Sequence, residues 1–241
     1  MVLKIYRTPS RLAWRTLGVA SRANREFTVM MNAHRRGLSV VRPRYWLEQR
    51  RKGRLTFSAI ALDFADGPDL ESWLVEGRGN PAQRLLAAEA TGEMLGRFHR
   101  GGLFWGTVST RNMILSGGNP GGLVAIDMPY ARIYRRDITG DADATIDLGL
   151  SLQLSDGAPA FYEGERKALV RAYCAGDANR AQAVYAELRP PTHREWKRRR
   201  LLRRLRNLFS KGATSPGPGG RYDAASGDYR VLGSNSVFLD G

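Results

Sequence analysis

Two oxygen-bearing side chains flank a pair of short apolar runs in the middle of the chain. Asn112 precedes the run Met113–Leu115, and Asp127 follows the run Leu123–Ile126, with a glycine-rich segment between the two runs. The pattern predicts two strands joined by a tight turn, with Asn112 and Asp127 at neighbouring strand ends. Two such oxygens can converge on one Mg²⁺, which is how metal-bound ATP is held for phosphoryl transfer. Each residue also has a simpler interpretation, Asn112 as a cap or turn residue and Asp127 as an exposed carboxylate at a strand end.

A second pair of candidate residues lies near the N-terminus. Lys4 stands in a strand pattern over residues 1–7, and Glu26 lies at the start of a helical pattern. Glu26, Met30 and Ala33 share one face of that predicted helix. The alternatives are a lysine on an edge strand with its amine in water, and a solvated carboxylate at a helix start.

The elements that must position these residues are marked by their ends. A helical pattern over Pro81–Arg100 is stopped by Gly101-Gly102. A shorter helix is predicted over Leu70–Val75, with Asp69 as its N-cap. The basic segment Arg50–Arg54 predicts a hairpin turn between two strands.

The segment that follows the predicted long helix resembles the kinase catalytic loop, which reads H-x-D, four residues, then Asn, with a metal-binding Asp on the strand beyond. It is most similar to the lipopolysaccharide core kinases, the Kdo and heptose kinases of Gram-negative bacteria, whose loop reads H-R-G-G-L-x-H-G-D-L-x-x-x-N before a strand ending in I-D. The matching positions are His99–Leu103, Gly106, Asn112 and Ile126-Asp127. Two positions depart from the pattern: Thr107 stands where the catalytic Asp belongs, and Trp105 stands where the preceding His belongs.

The resemblance implies roles for further residues. Arg25-Glu26-Phe27 is similar to the R-E-[WF] signature of these kinases, whose Glu pairs with a strand lysine, here Lys4. The pair would orient Lys4 toward the α- and β-phosphates of ATP. Asn112 and Asp127 would hold Mg²⁺. Asp147 would hydrogen-bond the catalytic-loop backbone, and its alternative role is a helix N-cap.

The fold that the resemblance implies is α+β, a protein-kinase-like two-lobe fold. Only three residues precede Lys4, which leaves two interpretations: either the start of the sequence is assigned too late, or the N-lobe is truncated and lacks the Gly-rich phosphate-covering loop. We expect the truncated N-lobe. The expected division is, in chain order, N-lobe 1–61, hinge 62–67, helical C-lobe 68–190, basic amphipathic helix 191–210 and disordered tail 211–241.

Charge is concentrated toward the two ends of the sequence. The chain carries a formal net charge of +15, of which residues 1–55 contribute 14 − 2 = +12 and residues 194–211 contribute 9 − 1 = +8. Residues 194–210 combine this charge with an apolar stripe, which predicts a helix lying on an anionic membrane. The same segment is open to two other interpretations, a terminal helix packed on the C-lobe and a nucleic-acid-binding arm.

Several other classes of protein are disfavoured. A single cysteine, Cys174, excludes an internal disulfide framework and fits a reducing cytoplasm. Three scattered histidines form no zinc-binding spacing, and neither a P-loop nor a G-x-S-x-G motif occurs. No signal-peptide pattern and no run of about 18 apolar residues is found. We therefore expect a cytoplasmic protein, peripheral on the inner face of the inner membrane.

Loss of the catalytic Asp and of the Gly-rich loop decides the functional expectation. We expect a lipopolysaccharide-kinase-like pseudokinase with weak or no binding of ATP and Mg²⁺. Its expected partners are the anionic inner-membrane surface or a lipopolysaccharide core intermediate, and an active partner kinase. The alternative is an active ATP-dependent kinase that phosphorylates a Kdo or heptose sugar, using Lys4, Glu26, Asn112 and Asp127.

Overall fold

The computed structural model describes residues 1–9 and 15–188, together with the backbone of two short strands nearer the C-terminus. Helices and small, mainly antiparallel sheets alternate along the chain, so the protein is of the α+β class. The helices are α1 (Arg22–Arg35), α2 (Leu70–Val75), α3 (Pro81–Arg100), α4 (Ala142–Ser151), α5 (Glu163–Tyr173) and α6 (Ala178–Glu187). The strands are β1 (Val2–Arg7), β2 (Pro43–Arg51), β3 (Arg54–Leu62), β4 (Leu103–Phe104), β5 (Met113–Leu115), β6 (Leu123–Ala125), β7 (Arg132–Ile133), β8 (Arg221–Tyr222) and β9 (Tyr229–Arg230).

The chain divides into two compact units. Among the described residues, the first comprises 1–9, 15–32 and 41–64, and the second comprises 33–40 and 65–188. The predicted lobe and hinge boundaries (1–61, 62–67 and 68–190) stay a prediction. The predicted basic helix over 191–210 lies outside the described residues. So does the predicted tail 211–241, apart from the backbone of β8 and β9.

The first unit is built on a three-stranded antiparallel sheet of order β1-β3-β2. β2 and β3 form the predicted hairpin, which turns at Lys52 and Gly53. β1 pairs along β3 with Lys4 opposite Ile60 and Tyr6 opposite Ser58. Because side chains two residues apart in a strand point to the same face, Lys4 and Tyr6 project together from one side of the sheet.

The buried face of α1 carries the three residues that share one face of the predicted helix. Glu26, Met30 and Ala33 are at most 1 % exposed, and they recur at the spacing of a single helical face. Met30 and Ala33 make this face apolar, whereas Glu26 places a carboxylate in it. A carboxylate buried in this way needs a charged or hydrogen-bonding partner.

The second unit is organised around α3. Asn80 caps this helix in a capping box with Gln83, and Pro81 occupies its first turn. α3 packs closely against α5: a Cβ at Gly92 would lie 2.0 Å from the carbonyl oxygen of Leu169, so any larger residue would push the helices apart. The core of this unit lies beneath α3, where Leu95 and Phe98 are essentially inaccessible to solvent.

Two small antiparallel sheets continue from the end of α3. β4 pairs with β7, and β5 pairs with β6, with Met113 opposite Ala125 and Leu115 opposite Leu123. The β5–β6 pair is held at its sides by single bridges, from Ile114 to Asp69 and from Ala125 to Val40. Among the described residues, none of the helices is both long and apolar enough to span a membrane.

Replacing Met30 with alanine should destabilise the first unit. Met30 is fully buried, whereas Met31, the next residue on the same helix, is partly exposed. Removing a buried large apolar side chain costs about 2–5 kcal/mol through lost burial and the cavity left behind. Chemical denaturation should therefore show a larger loss for Met30→Ala than for the control Met31→Ala. Equal losses would show that α1 does not bury this face.

Candidate functional site

An ion pair links β1 to α1 in the first unit. Lys4 Nζ lies 3.1 Å from Glu26 Oε1 and 3.5 Å from Oε2, and the Glu26 side chain is wholly inaccessible to solvent. The Tyr6 hydroxyl donates a hydrogen bond to Glu26 Oε2. The Lys4 side chain is 27 % exposed, and its ammonium is paired with the buried carboxylate. The pairing that the sequence predicts is therefore present, and its use in nucleotide binding stays a prediction.

Tyr6 belongs to the same group of contacts, although sequence analysis did not identify it. The Lys4 ammonium lies 5.2 Å from the centre of the Tyr6 ring, and the Arg22 guanidinium lies 4.5 Å from it. Cations at such distances are attracted by the ring face. The i, i+2 spacing of Lys4 and Tyr6 in a strand was the available signal, since it places both side chains on one face.

The second unit contains the loop that joins α3 to β5. Its conformation is set by Asp147, which is fully buried in the interior of α4. Asp147 Oδ2 accepts a hydrogen bond of 2.7 Å from the Trp105 amide, and Oδ1 accepts one of 2.9 Å from the Gly106 amide. The role that the resemblance implies for Asp147 therefore matches these contacts. The alternative, a helix N-cap, does not, because the N-cap of α4 is Asp141.

His99 extends this network toward α5. Its Nε2 lies 3.3 Å from Asp147 Oδ2, and its Nδ1 lies 2.9 Å from the Tyr173 hydroxyl. A carboxylate can only accept, so Nε2–H donates to Asp147. Burial raises the pKa of Tyr173, which keeps its hydroxyl neutral at physiological pH. Both ring nitrogens of His99 are thus engaged within the protein. His99 therefore has a structural role, in which it connects α5 to the carboxylate that holds the loop, rather than the role of a metal ligand.

Glycine makes the tight entry into this loop possible. Gly102 has φ +75°, a conformation that favours glycine, and a Cβ there would lie 2.4 Å from the carbonyl oxygen of Tyr134. The Gly101-Gly102 pair therefore ends α3, as the sequence predicts, and also lets the chain at Tyr134 approach the loop.

The two positions that depart from the kinase pattern both contact Asp127. The Trp105 indole donates to the Asp127 carbonyl oxygen at 3.1 Å, and the Thr107 hydroxyl donates to the same oxygen at 3.4 Å. The Trp105 ring is fully buried and lies edge-on to Phe98, with ring centres 5.9 Å apart. Here Trp105 and Thr107 act as hydrogen-bond donors to the backbone of the predicted metal ligand.

Asp127 itself has a backbone conformation that is uncommon outside glycine. Its φ is +57°, in the left-handed region that Asp and Asn tolerate better than other residues. Such conformations cost about 1–3 kcal/mol and cluster at functional sites, where the surroundings enforce them. The two hydrogen bonds to its carbonyl oxygen are part of those surroundings.

Asn112 lies beside Asp127 at the end of the β5–β6 pair. The Ile126 amide donates to the Asn112 carbonyl oxygen at 2.9 Å. Asn112 therefore lies directly before the paired backbone, and Asp127 lies directly after it. The Asn112 side-chain amide donates to the carbonyl oxygen of Thr107 at 3.4 Å. Since a carbonyl oxygen can only accept, this contact directs the NH₂ group toward the loop and leaves the amide oxygen of Asn112 for another partner.

The donor set of this strand end suits Mg²⁺. Mg²⁺ binds oxygen ligands and is usually held by one or two protein side chains together with substrate phosphates and water. An Asp carboxylate and an amide oxygen meet that requirement. Among the described residues, no three His, Cys, Asp or Glu side chains cluster as a separate metal site.

A buried glutamate, which sequence analysis missed, supports the loop from another side. Glu71 on α2 accepts hydrogen bonds from the Thr110 hydroxyl at 2.7 Å, Arg111 Nε at 3.0 Å and the Ser155 amide at 3.0 Å, as well as from the Ser155 hydroxyl. Burial by itself raises the pKa of Glu71. The hydrogen bonds from Ser155 and Thr110, with the charge of Arg111, outweigh burial and hold the pKa below its usual range.

Comparison with solved structures identifies the class of fold. The chain has a kinase-like α+β fold. One solved structure that it matches is that of WaaP in complex with acyl carrier protein. The match has a TM-score of 0.54 and 18 % sequence identity, and it covers 86 % of this chain and 80 % of that chain. At this identity the likeness concerns the fold alone. No family model and no curated protein matches the chain.

Replacing Asp147 with asparagine should destabilise the loop while preserving its shape. The asparagine NH₂ group would face donors that now meet a carboxylate oxygen. Hydrogen bonds to a charged group contribute about 1.5–3 kcal/mol each, and a buried donor left without a partner adds a penalty. Denaturation should show a loss of this order for Asp147→Asn, whereas Asp156→Asn, at an exposed carboxylate, should change little. A negligible loss for Asp147→Asn would contradict the structural role of this carboxylate.

The stability that Glu71 contributes should depend on pH. Its pKa is lowered in the folded protein, so its contribution is fully present above the unfolded value of about 4.3 and is lost as pH falls through the lower folded value. The destabilisation caused by Glu71→Gln should therefore be greatest above about pH 5 and should shrink below about pH 4. Denaturation of both proteins at several pH values measures this difference, and a difference that grows on acidification would contradict it.

Proposed function

We propose that this chain is a kinase-like protein of the lipopolysaccharide core type that binds Mg²⁺-ATP weakly and has lost efficient phosphoryl transfer. The observation that carries the proposal is the end of the β5–β6 pair, where Asn112 and Asp127 flank the paired strands. The adjoining loop is held by hydrogen bonds to the Asp147 carboxylate, and Thr107 in this loop stands in place of a catalytic Asp. The likeness to WaaP supports the class of fold in which such a site is expected. The substrate class is inferred from the resemblance of the loop residues.

The nucleotide would be held by charge and by metal ligation. The Lys4 ammonium, oriented by Glu26, would contact the α- and β-phosphates of ATP. Asn112 and Asp127 would ligate Mg²⁺, which neutralises phosphate charge when bound.

The loss of transfer follows from the chemistry of Thr107. A threonine hydroxyl cannot accept a proton from a sugar hydroxyl near neutral pH as a carboxylate can. A positioned general base contributes typically about 10²–10⁴ in rate. In addition, the Thr107 hydroxyl donates to the Asp127 carbonyl oxygen, so the side chain that replaces the base is engaged in fixing the loop.

One observation favours the alternative, an active kinase acting on a Kdo or heptose sugar. The Lys4–Glu26 pair is formed with direct contact, and an active enzyme would need this pair intact to orient Lys4 toward the phosphates. Phosphoryl transfer depends mainly on positioning and electrostatics, so loss of the base reduces the rate without removing the other contributions. Turnover measurements separate these two possibilities.

The partners in this proposal are an anionic membrane surface or a lipopolysaccharide core intermediate, and a partner protein. The membrane part rests on the basic segment over 191–210, which lies outside the described residues. The matched WaaP structure contains acyl carrier protein, which prompts the search for a protein partner here. An active kinase that supplies the missing base is a further candidate partner.

Introducing a carboxylate at the loop should increase turnover. We expect the wild-type chain to show little or no transfer from ATP to lipopolysaccharide core sugars, and Thr107→Asp to raise the rate by up to about 10²–10⁴. Thr107→Asn is the matched control, since it has similar size and no basic oxygen. Transfer is measured as labelled phosphate incorporated into the sugar.

Rapid transfer by the wild-type chain that disappears in Asp127→Ala would show that the protein is an active kinase. In that case the proposed loss of function is wrong, while the assignment of the metal ligands stands.

A further inference from the structure

The Glu71 carboxylate gathers donors from three separate parts of the second unit. It lies on α2, and its partners are Thr110 and Arg111 in the loop before β5 and Ser155 in the segment after α4. Thr110 is fully buried, and Glu71 is 7 % exposed. Every group around the carboxylate in these contacts is a donor, so this position requires a side chain that only accepts.

Two of these partners belong to the turn that contains Asn112. Thr110, Arg111 and Asn112 form a single 3₁₀ turn, closed by the Asn112 amide, which donates to the Ser109 carbonyl oxygen at 2.9 Å. Glu71 therefore fixes the two residues immediately before Asn112. On the other side of Asn112, the Leu115 amide donates to the carbonyl oxygen of Pro68 at 2.9 Å.

The α2 region thus holds the chain on both sides of Asn112 without touching its side chain. The Leu115 contact is made by backbone atoms and is independent of side-chain identity. The Glu71 contacts are made by a side chain and can be removed by substitution. The position of the Asn112 amide oxygen is consequently sensitive to residue 71.

We propose that Glu71 is a positioning residue that orients Asn112 as a metal ligand. This inference rests on the proposed function, in which Asn112 and Asp127 hold Mg²⁺. Groups that orient metal ligands from outside the coordination sphere typically contribute about 10–100-fold to metal affinity. Glu71 acts on Asn112 through the hydroxyl of Thr110 and the guanidinium of Arg111.

The contacts of Glu71 provide matched variants. Thr110→Val removes the hydroxyl donor on the Asn112 side of the carboxylate, and Ser155→Ala removes the hydroxyl donor on the far side. Both variants lose one hydroxyl hydrogen bond to the same carboxylate, but Thr110 is fully buried whereas Ser155 is exposed and keeps its amide donor. The changes at Asn112 are therefore compared after each variant's own loss of stability has been measured. Glu71→Gln removes the charge, and Glu76→Gln is its control, an exposed carboxylate at the end of the same helix.

Two measurements test the inference on the full chain, at a temperature where every variant is folded. The first is hydrogen exchange of the Asn112 amide without nucleotide or metal. We expect faster exchange in Glu71→Gln and Thr110→Val, and unchanged exchange in Glu76→Gln and Ser155→Ala. The second is the Mg²⁺ concentration at which the Mg²⁺-dependent increase in ATP affinity reaches half of its maximum. We expect it to rise about tenfold in the first two variants and to stay unchanged in the controls.

The possible results separate this inference from the proposed function. A wild-type chain whose ATP affinity ignores Mg²⁺ overturns the proposed function and, with it, the assignment of Asn112. A wild-type chain that responds to Mg²⁺ while Thr110→Val responds in the same way overturns only the role of Glu71. Equal changes in Thr110→Val and Ser155→Ala also overturn it, because they show a general structural effect. If Glu71→Gln does not fold, the pair Thr110→Val and Ser155→Ala decides the question.

Discussion

The buried carboxylate of Asp147 is the constraint on which the rest of the candidate site depends. A charged group without solvent needs donors, and the nearest are the amides of Trp105 and Gly106 and the ring of His99. Satisfying this one carboxylate therefore fixes the backbone of the loop after α3. Once the loop is fixed, the side chains of Trp105 and Thr107 reach the carbonyl oxygen of Asp127. The carboxylate of α4 thus determines indirectly where a predicted metal ligand stands.

The two loop positions that depart from the kinase pattern contribute to the geometry of the loop. Trp105 and Thr107 both provide hydrogen-bond donors, and neither provides a carboxylate. In the proposed function these residues keep Asp127 in its left-handed conformation, so that metal ligation survives the loss of the base. Glu71 adds support from the side of Asn112. In the proposed function the loop serves to hold a ligand, and efficient proton transfer would require a carboxylate at position 107.

Local signals made much of the fold predictable. The bounds of α2 and α3 follow from Asp69, Asn80-Pro81 and Gly101, because caps, proline and glycine act on the chain immediately beside them. The face of α1 was predictable from the 3.6-residue period. The α+β class was also predicted, from the resemblance of the loop.

The contacts that depend on packing between distant segments could not be predicted from the residues alone. The partners of Glu71 lie 39 to 84 residues away in the chain, and a helix-start glutamate after an aspartate cap usually faces water. Tyr6 was missed for the same reason, since its hydroxyl partner lies on another element. The pairing of Lys4 with Glu26 and the contacts of Asp147 were anticipated through resemblance to a kinase family, which supplied long-range information that spacing does not contain.

We propose that this chain retains a Mg²⁺-assisted site for ATP. Titration calorimetry of the wild-type chain with ATP, with and without Mg²⁺, tests it most directly when repeated on Asp127→Ala. We predict weak binding by the wild-type chain that tightens with Mg²⁺, and binding by Asp127→Ala that is insensitive to the metal. An absence of ATP binding under both conditions, or a Mg²⁺ effect that Asp127→Ala leaves intact, would contradict the account.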